Sequence, residues 1–239
     1  PEGDLKVIID ELVEELSAAF DNLKSIMWMV NTDIADRTQS EETHLLYGRD
    51  YIHDVMYGYK YRTWFDTFFQ TNPTQAEKLV ELALEMADAK EHERMIDLFC
   101  GVGTFSLPFA DKVKELAGIE IVESSIESAK RNALDNGIDN TYFLAKDARR
   151  GMDEVLENWG TPDLLMLDPP RSGAGGKVMR RIGRLGTDRV VYVSCNPETF
   201  AEDITWLREL GYELKTVQPV DLFPHTVHVE VVSLLVKTK

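Results

Sequence analysis

The sequence has 239 residues, 44% of them hydrophobic, which is enough for one large domain or for one domain with a small appendage. Its 42 acidic and 26 basic residues give a formal net charge of -16, which argues against a general polyanion-binding protein. The two cysteines provide no disulfide framework and no zinc site, which predicts a cytoplasmic protein. No apolar run is long enough to cross a membrane. The start, Pro1-Glu2-Gly3-Asp4, is no signal peptide and lacks an initiator Met, so we expect a piece of a longer chain.

One stretch reverses the acidic balance. Between residues 171 and 189, Asp188 is the only acid. The basic residues there are Arg171, Lys177, Arg180, Arg181, Arg184 and Arg189. A helix that carries this set could form a positive face that binds a ligand. It could equally be an ordinary helix surface exposed to solvent, and the pattern does not decide between the two.

The first 66 residues predict a small α+β subdomain. Apolar residues at helical spacing over 5–20 indicate an amphipathic helix, and 25–30 reads as a strand. Residues 45–65 are rich in Tyr, His, Trp and Thr around Gly48 and Gly58, which predicts short antiparallel strands with tight turns.

Residues 67–239 predict a second domain, in which helices and strands alternate after a first helix at 74–86. The strands are expected at 94–99, 115–120, 141–146, 163–168, 190–195, 212–218 and 229–236. The helices between them are expected at 103–110, 124–136, 148–158, 175–185 and 198–210. This alternation predicts a seven-stranded, mainly parallel sheet with helices on both faces. Because a loop joins the last two strands, one of them should be antiparallel, and the whole pattern resembles the class I Rossmann-like methyltransferase fold.

The run from Ile96 to Thr104 predicts a strand, a turn containing Gly101 and Gly103, and a helix start. Such a turn lets a ligand approach the backbone and meet free N–H groups, although a tight turn without a ligand is the alternative. No third glycine completes the dinucleotide fingerprint. About 20 residues on, Glu120 ends a strand where an acid accepts hydrogen bonds from ribose hydroxyls. Asp147 ends the next strand, where it would meet an adenine amino group.

Cys195 ends an apolar strand that begins at Val190 and precedes a helix-starting proline. Open α/β sheets build their sites at such strand ends, so Cys195 is either a nucleophile or a buried hydrophobe. Cys100, inside the glycine turn, is expected to pack. Two prolines between Asp168 and Arg171 fix a loop that aims Asp168 into the cleft between the glycine turn and Cys195.

Two further segments carry candidate site residues. The run from Phe223 to Glu230 leads into the last strand, and Glu230, at the start of this strand, is a candidate general base. Its two histidines lack the further ligands of a metal site, so no metal is expected. The segment from Phe68 to Asn72 offers aromatic faces and an amide for a nucleic-acid base, with core packing as the alternative.

With these residues assembled, the chain closely resembles the RNA uracil-C5 methyltransferases, which make 5-methyluridine in tRNA or 23S ribosomal RNA. The resemblance covers about residue 60 to the end and is looser before that. It rests on Phe69-Gln70-Thr71-Asn72, Asp97-Leu98-Phe99-Cys100-Gly101-Val102-Gly103-Thr104, Asp168-Pro169-Pro170-Arg171, Ser194-Cys195-Asn196-Pro197 and Phe223-Pro224-His225-Thr226-Val227-His228-Val229-Glu230.

This resemblance implies that Cys195 is the nucleophile and that Glu230 removes a proton. It implies S-adenosyl-L-methionine as cofactor and S-adenosyl-L-homocysteine as product. The residues expected around the cofactor are Gln70, Phe99, Gly101, Gly103, Thr104, Glu120, Asp147 and Asp168. Those expected at the uracil are Phe68, Gln70, Arg171 and His225.

The chemistry explains why such residues are needed. Thiolate attack at C6 of uracil raises the electron density at C5, which can then accept a methyl group. A base must remove the hydrogen from C5 before the thiolate is expelled. A uracil in folded RNA must also leave its stack. We expect the sulfonium and the strand-end dipoles to help hold Cys195 as a thiolate.

Two departures from the family pattern matter. Many members begin with an oligonucleotide-binding barrel, and some carry a cysteine-ligated iron–sulfur cluster; neither is expected in this chain. We therefore expect a monomeric catalytic fragment with weak RNA affinity, residues 1–66 facing the RNA. Its partner would be a tRNA or 23S rRNA hairpin with a flipped-out uridine, and no membrane.

Three alternatives stay open at this point. A methyltransferase of exocyclic amines uses an Asn/Asp-Pro-Pro-aromatic motif and no cysteine, whereas this chain has Arg171 in the aromatic position and Cys195 as well. An RNA cytosine-C5 methyltransferase arranges its cysteines differently. A non-catalytic RNA-binding module would not need a nucleophile and a base.

Overall fold

The structure is a computed structural model that describes residues 4–30, 42–65, 67 and 69–238. The helices are α1 (Asp4–Ala19), α2 (Pro73–Ala87), α3 (Ser106–Ala110), α4 (Glu123–Asp135), α5 (Ala148–Trp159), α6 (Gly176–Leu185) and α7 (Pro197–Glu209). The strands are β1 (Ser25–Val30), β2 (Glu42–Gly48), β3 (Tyr51–Met56), β4 (Tyr59–Trp64), β5 (Arg94–Leu98), β6 (Glu115–Glu120), β7 (Thr141–Ala145), β8 (Leu164–Leu167), β9 (Arg189–Ser194), β10 (Tyr212–Val220) and β11 (Glu230–Lys237). None of the helices in these ranges has the length and apolar character that a bilayer span requires.

The chain divides into two compact units, Pro1–Asp54 with Arg62–Thr67, and Val55–Tyr61 with Phe68–Lys239. The first unit contains α1 and an antiparallel pair of strands, β1 and β2. The predicted helix over 5–20 and strand over 25–30 are confirmed. The proposed domain boundary after residue 66 stays a prediction.

Strands β3 and β4 form a two-stranded hairpin whose turn contains Gly58, as the sequence predicts. Tyr57 and Gly58 both adopt positive φ, of 52° and 81°, which suits a tight hairpin turn. The hairpin turn belongs to the second unit through its hydrogen bonds. The Tyr57 N–H donates to Glu77, and the Lys60 N–H donates to the side chain of Asn136.

The second unit is built on a seven-stranded sheet of order β10-β11-β9-β8-β5-β6-β7. The pairs from β9 to β7 are parallel, whereas β11 runs antiparallel to both β9 and β10. The predicted mainly parallel sheet with an antiparallel ending is confirmed. The helix expected to begin at residue 103 begins only at Ser106, because the preceding residues form a turn.

Helices cover both faces of this sheet, as predicted. Apolar side chains of α2 and α3 pack on one face, with α4 beside them, and those of α5, α6 and α7 pack on the other. Successive residues of β8 alternate between the two cores, as the strand period requires. This burial fixes the register of the central strands, and therefore which residues reach their ends.

The parallel strands all end at one edge of the sheet, which we call the carboxyl edge. The chain leaves β5 for β6 on one side and returns to β8 on its other side. Open α/β sheets bind ligands beside such a change of direction. The carboxyl edge around β5 and β8 is therefore where the fold places a site.

Candidate active site

Four carboxyl groups lie along the carboxyl edge. Asp97 lies in β5, Glu120 ends β6, Asp168 follows β8 and Glu230 begins β11. The strand order places them in the sequence Glu230, Asp168, Asp97, Glu120 across the sheet, with Cys195 at the end of β9 between the first two. This edge combines a thiol with an unusual density of acids.

The glycine turn after β5 leaves open space beside its backbone at Gly101. The N–H groups of Phe99 and Cys100 both donate to the carbonyl of Ile119, at 2.8 and 3.2 Å, which ties the turn to β6. Phe99 has a φ of +65°, a strained value for a non-glycine residue and one often found at functional sites. A side chain added at Gly101 would meet nothing within 4 Å, whereas one at Gly103 would lie 2.7 Å from the Leu107 side chain. The turn is thus tightly packed at Gly103, whereas the space beside Gly101 is open.

Asp97 is fully buried, and only one of its carboxyl oxygens has a partner among the described residues. Ser106 donates a hydrogen bond to Oδ2, while Oδ1 accepts none. Burial raises the pKa of Asp97 to about 7, and the nearby Glu120 adds to the rise. The sequence reasoning did not name Asp97 as a site residue. The available signal was an acid inside an otherwise apolar strand.

The two acids expected around a nucleoside, Glu120 and Asp147, lie at strand ends, and both accept backbone hydrogen bonds. Oε1 of Glu120 accepts hydrogen bonds from the N–H groups of Ile121 and Val122, at 2.7 and 2.9 Å. Asp147 caps α5 by accepting from the Arg149 N–H, and the same oxygen pairs with the Arg149 side chain at 3.2 Å. Each carboxylate is thus held in place through a single oxygen.

The segment before α2 is tied to the loop that precedes β11. The side chain of Asn72 caps α2 and donates to the carbonyl of Leu222 at 3.0 Å. Gln70, two residues earlier, is half-buried. Thr104 is also half-buried, and its carbonyl accepts a hydrogen bond from the hydroxyl of Tyr61 at 3.3 Å. Phe68, expected at the uracil, lies outside the described residues.

Cys195 sits in a turn that is held rigidly between β9 and α7. The hydroxyl of Ser194 donates to the carbonyl of Asn196, and the Asn196 side chain caps α7 by accepting from the Glu198 N–H. Pro197 occupies the first turn of the helix, where its missing N–H costs nothing. The thiol of Cys195 is partly exposed, whereas that of Cys100 is buried, as expected for a packing cysteine.

Glu230 lies next to Cys195 because of the strand register. Val231 pairs with Ser194 in the antiparallel strands, and Glu230 and Cys195 are the residues that adjoin this pair. The charge of Glu230 acts on the thiol of Cys195. Glu230 is only 6% exposed, and this burial raises its pKa to about 7, against a smaller lowering by Arg171. A carboxyl group with this pKa can exchange a proton near neutral pH.

The surroundings of Cys195 disfavour its thiolate. Burial raises the pKa of this thiol above its ordinary value, and the charges of Glu230 and Asp168 raise it further. Arg171 lowers it by less. The expectation that the cofactor's sulfonium and the strand-end dipoles help to hold the thiolate stays a prediction.

The loop after β8 is fastened to the cysteine turn. The carbonyl of Arg171 accepts hydrogen bonds from Asn196 and Thr199, at 3.2 and 3.3 Å. The Arg171 guanidinium lies 3.2 Å from Nδ1 of His228. Burial raises the pKa of Asp168 well above its ordinary value, and Glu230 and Asp97 raise it further.

His225, which the sequence placed at the uracil, lies in the irregular segment between β10 and β11. It is exposed and has a φ of +68°. The hydroxyl of Thr226 beside it accepts from the His228 N–H and donates to the Phe223 carbonyl. The structure shows no hydrogen bond from the His225 ring to another described residue.

Two chemical properties follow from this geometry. A thiol and a carboxyl group with a pKa near 7 stand side by side, the pairing of nucleophile and base. Beside them, buried acids with raised pKa values and an unpartnered oxygen would be stabilised by a ligand that carries positive charge. Among the described residues, no group of three or more His, Cys, Asp or Glu is arranged to hold a metal ion.

Comparison with protein families identifies the chain. The model of the tRNA (uracil-5-)-methyltransferases matches residues 6–238. The chain belongs to this family. The match extends over both compact units, including the part for which sequence motifs were weakest.

Relatives of this family member agree with the assignment. An RNA methyltransferase of Streptococcus agalactiae, itself uncharacterised, is 40% identical over 229 residues, covering 96% of this chain and 51% of its own length. A counterpart in Streptococcus pyogenes is 38% identical over the same share of this chain and 50% of its own length. The chain thus spans about half the length of the curated relatives it matches.

A solved structure resembles the chain in sequence and fold. The tRNA (uracil-54, C5)-methyltransferase of Pyrococcus abyssi, crystallised with S-adenosyl-L-homocysteine, is 34% identical with a TM-score of 0.77. The match covers 92% of this chain and 52% of that one. The class I Rossmann-like methyltransferase fold expected from the sequence is confirmed.

Proposed function

We propose that this chain is the catalytic part of an S-adenosyl-L-methionine-dependent RNA uracil-C5 methyltransferase, which makes 5-methyluridine in tRNA or 23S ribosomal RNA. The observation that carries the proposal is the proximity of Cys195 and Glu230, the residues that adjoin the last pair of β9 and β11, Ser194 with Val231. Methylation of an exocyclic amine needs neither group. Membership of the uracil-5 family favours uracil over cytosine.

Cys195 is the proposed nucleophile. Its sulfur forms a bond to C6 of uracil, and the electron pair of the C5–C6 double bond moves towards C5 and the C4 carbonyl. C5 then takes the methyl group. Because the surroundings raise the pKa of Cys195, its proton must leave before or during the attack, and Glu230 is the adjacent group able to receive it. Glu230 then releases this proton to solvent, so that it is ionised again before the final step.

Glu230 is the proposed base for the final step. After methylation C5 carries both a methyl group and a hydrogen, and Glu230 removes this hydrogen as a proton. The electron pair of the C–H bond restores the C5–C6 double bond, and the sulfur of Cys195 leaves with its own bonding pair. A base with a pKa near 7 suits this step at neutral pH, where about half of it is ionised.

The acidic carboxyl edge fits the proposed cofactor. S-adenosyl-L-methionine carries an ammonium and a sulfonium, and when bound it supplies the methyl group. Asp97 has a buried oxygen without a partner among the residues that the structure describes, and its pKa is raised by burial and by Glu120. A nearby cation would therefore stabilise its ionised form. The open space above Gly101 leaves room for a ligand against the backbone. We propose the remaining cofactor contacts at Gln70, Phe99, Gly103, Thr104, Glu120, Asp147 and Asp168.

We propose four residues for the substrate side of the site. Phe68, Gln70, Arg171 and His225 are proposed to receive the uracil after it has left its stack. The solved relative from Pyrococcus abyssi is a tRNA (uracil-54, C5)-methyltransferase, which supports a tRNA substrate. We also propose that the chain acts as a monomer in the cytoplasm, with residues 1–66 as an RNA-facing subdomain.

The test uses short tRNA and 23S rRNA hairpins that contain 5-fluorouridine at the candidate position. Fluorine cannot leave as a proton, so a uracil-C5 enzyme supplied with S-adenosyl-L-methionine stays covalently bound to the RNA. We expect an adduct on a denaturing gel, and mass spectrometry should locate it on Cys195. The hairpin that forms the adduct identifies the RNA.

The controls separate the alternatives. Cys195→Ala should form no adduct, and Cys100→Ala should form it as the unaltered chain does. A chain that binds S-adenosyl-L-methionine and RNA but forms no adduct, even when the same residues are tested within the full-length protein, would favour a non-catalytic RNA-binding module.

A further inference from the structure

A groove between α5 and α6 concentrates positive charge on an acidic chain. It has a volume of about 510 Å³ and lies between two helices that pack side by side. Its lining includes two aspartates and six basic residues: Arg149, Arg150, Lys177, Arg180, Arg181 and Arg184. We call it the α5–α6 groove. A local excess of four positive charges stands out in a chain with a net charge of -16.

The fold builds this groove from one face of α6. Lys177, Arg181 and Arg184 recur at helical spacing, while Met179 and Ile182 point into the core. The stretch from Lys177 to Arg184 spans about 10 Å at 1.5 Å per residue. Sequence reasoning considered only the segment from 171 to 189. Arg149 and Arg150 come from α5, and only the packing of the two helices adds them to the set.

The charges of the groove are only partly compensated inside the protein. Arg149 pairs with Asp147 at 3.2 Å, and Arg181 pairs with Asp153. Within the described part of the chain, Arg150, Lys177 and Arg184 form no ion pair, and all three are exposed. Like charges held at this spacing repel one another, so a polyanion in the groove would remove an unfavourable interaction.

Arg180 is held differently from the other basic residues. Its guanidinium lies over the ring of Trp206 in α7, 4.8 Å from the ring centre. This contact orients the side chain at the rim of the groove. An arginine held in this way loses less freedom when it binds a phosphate.

We propose that the α5–α6 groove binds the phosphodiester backbone of the RNA, away from the pocket that receives the target uracil. This inference rests on the proposed function, because that function supplies the RNA. Helix α5 follows β7 and helix α6 follows β8, so the first residues of both helices lie towards the carboxyl edge, where Cys195 and Asp168 also lie. Phosphate contacts there would position the RNA without reading its sequence.

The test compares RNA binding by two triple variants. The groove variant is Arg150→Gln/Lys177→Gln/Arg184→Gln, which spares the paired arginines and Arg180. The matched control is Lys78→Gln/Lys112→Gln/Arg131→Gln, which removes the same charge from exposed residues of α2, the turn after α3, and α4. Melting temperatures check that both variants fold.

We expect the groove variant to bind the RNA hairpin at least about 10-fold more weakly at 50 mM salt. The slope of log K against log salt should become shallower by about 2, since each phosphate contact contributes about 0.7 to 0.9. The control should keep the Kd and the slope of the unaltered chain. The charge-preserving variant Arg150→Lys/Arg184→Lys should stay close to both.

A second measurement locates the contact. Bound RNA should protect Lys177 from acetylation, and Lys78 should react as fast as without RNA. Equal acetylation of Lys177 with and without RNA, or a groove variant that binds with unchanged Kd and slope, would overturn the proposal. So would a failure of the unaltered chain to bind RNA at all.

The two proposals fail in different ways. Groove-dependent RNA binding without an adduct at Cys195 would support the groove and contradict the proposed function. An adduct that forms equally well in the groove variant, at the same RNA concentration, would support the function and contradict the groove.

Discussion

Two regions of the carboxyl edge contain the same kinds of residue in different surroundings. The β5 region has Cys100 and Asp97, and the β9 region has Cys195 and Glu230. Burial raises the pKa of each acid to about 7. Burial also raises the pKa of both thiols.

Access and neighbouring charge distinguish the two regions. Cys100 is 5% exposed and lies against Phe143 in a small apolar cluster, whereas Cys195 is partly exposed beside Arg171. Glu230 lies across the strand pair from Cys195, while Asp97 is bonded to Ser106 and has an unpartnered oxygen. Residue type and pKa alone therefore do not separate the proposed reacting pair, Cys195 and Glu230, from Cys100 and Asp97. Exposure to solvent and the neighbouring groups distinguish the two regions.

The largest expected difference between the regions is in the two cysteines. Cys195→Ala should abolish methyl transfer to RNA, because Cys195 is the proposed nucleophile and the other cysteine of the sequence, Cys100, is buried. Cys100→Ala should keep activity within about 10-fold and lose about 1–2 kcal/mol of stability from the cavity. Methyl transfer is measured with radiolabelled cofactor and stability by urea denaturation. Comparable losses of methyl transfer in both variants would break the distinction.

The next largest effect concerns the base. Glu230→Gln should lower turnover by about 10²- to 10⁴-fold, the usual contribution of a general base. If Glu230 acts in the final step, the variant should also accumulate a covalent complex with ordinary uridine RNA. Denaturing gels report this complex. A variant that turns over at the normal rate would exclude the base role.

A smaller effect should separate the two acids by cofactor affinity. Asp97→Asn should weaken S-adenosyl-L-methionine binding by about 10- to 100-fold at pH 8, because a charged hydrogen-bonding partner is lost. Glu230→Gln should change this affinity by less than about threefold. Titration calorimetry measures both. Equal affinity in Asp97→Asn and the unaltered chain would remove Asp97 from the proposed cofactor site.

The smallest effect is on stability and depends on pH. The pKa of Glu230 in the folded state is about 7, above its ordinary value of 4.5. Between these two pH values Glu230 is therefore protonated in the folded state and ionised in the unfolded state. Stability should therefore fall as pH rises through this range. Glu230→Gln removes this cost and should be about 1–3 kcal/mol more stable than the unaltered chain at pH 8.

At pH 4 the advantage of Glu230→Gln should vanish, since the carboxyl is then protonated in both states. Urea denaturation at the two pH values measures it. Glu202→Gln, an exposed change in α7, serves as the control and should show no such pH dependence. A constant difference between Glu230→Gln and the unaltered chain at both pH values would mean that Glu230 is not titrating with a raised pKa.

Hydrophobic periodicity was enough to predict the elements of the second unit. The seven strands of the sheet lie within a few residues of their expected bounds, since alternating apolar runs and turn residues act locally. The main error was the start of α3, where the glycine turn extends to Phe105. Where a helix begins after such a turn depends on how the loop packs, and hydrophobic periodicity does not predict this packing.

The sequence by itself determined which residues carry candidate chemistry. Cys195, Asp168 and Glu230 each lie at one end of an apolar run that clearly predicts a strand. Only the tertiary structure decided how they act together. The register of β9 and β11 brought Glu230 near Cys195, and burial raised the pKa of both. Enclosure of β5 left one oxygen of Asp97 without a partner among the described residues. Pairing across strands and desolvation are long-range properties, and residues far apart in the chain produce them together.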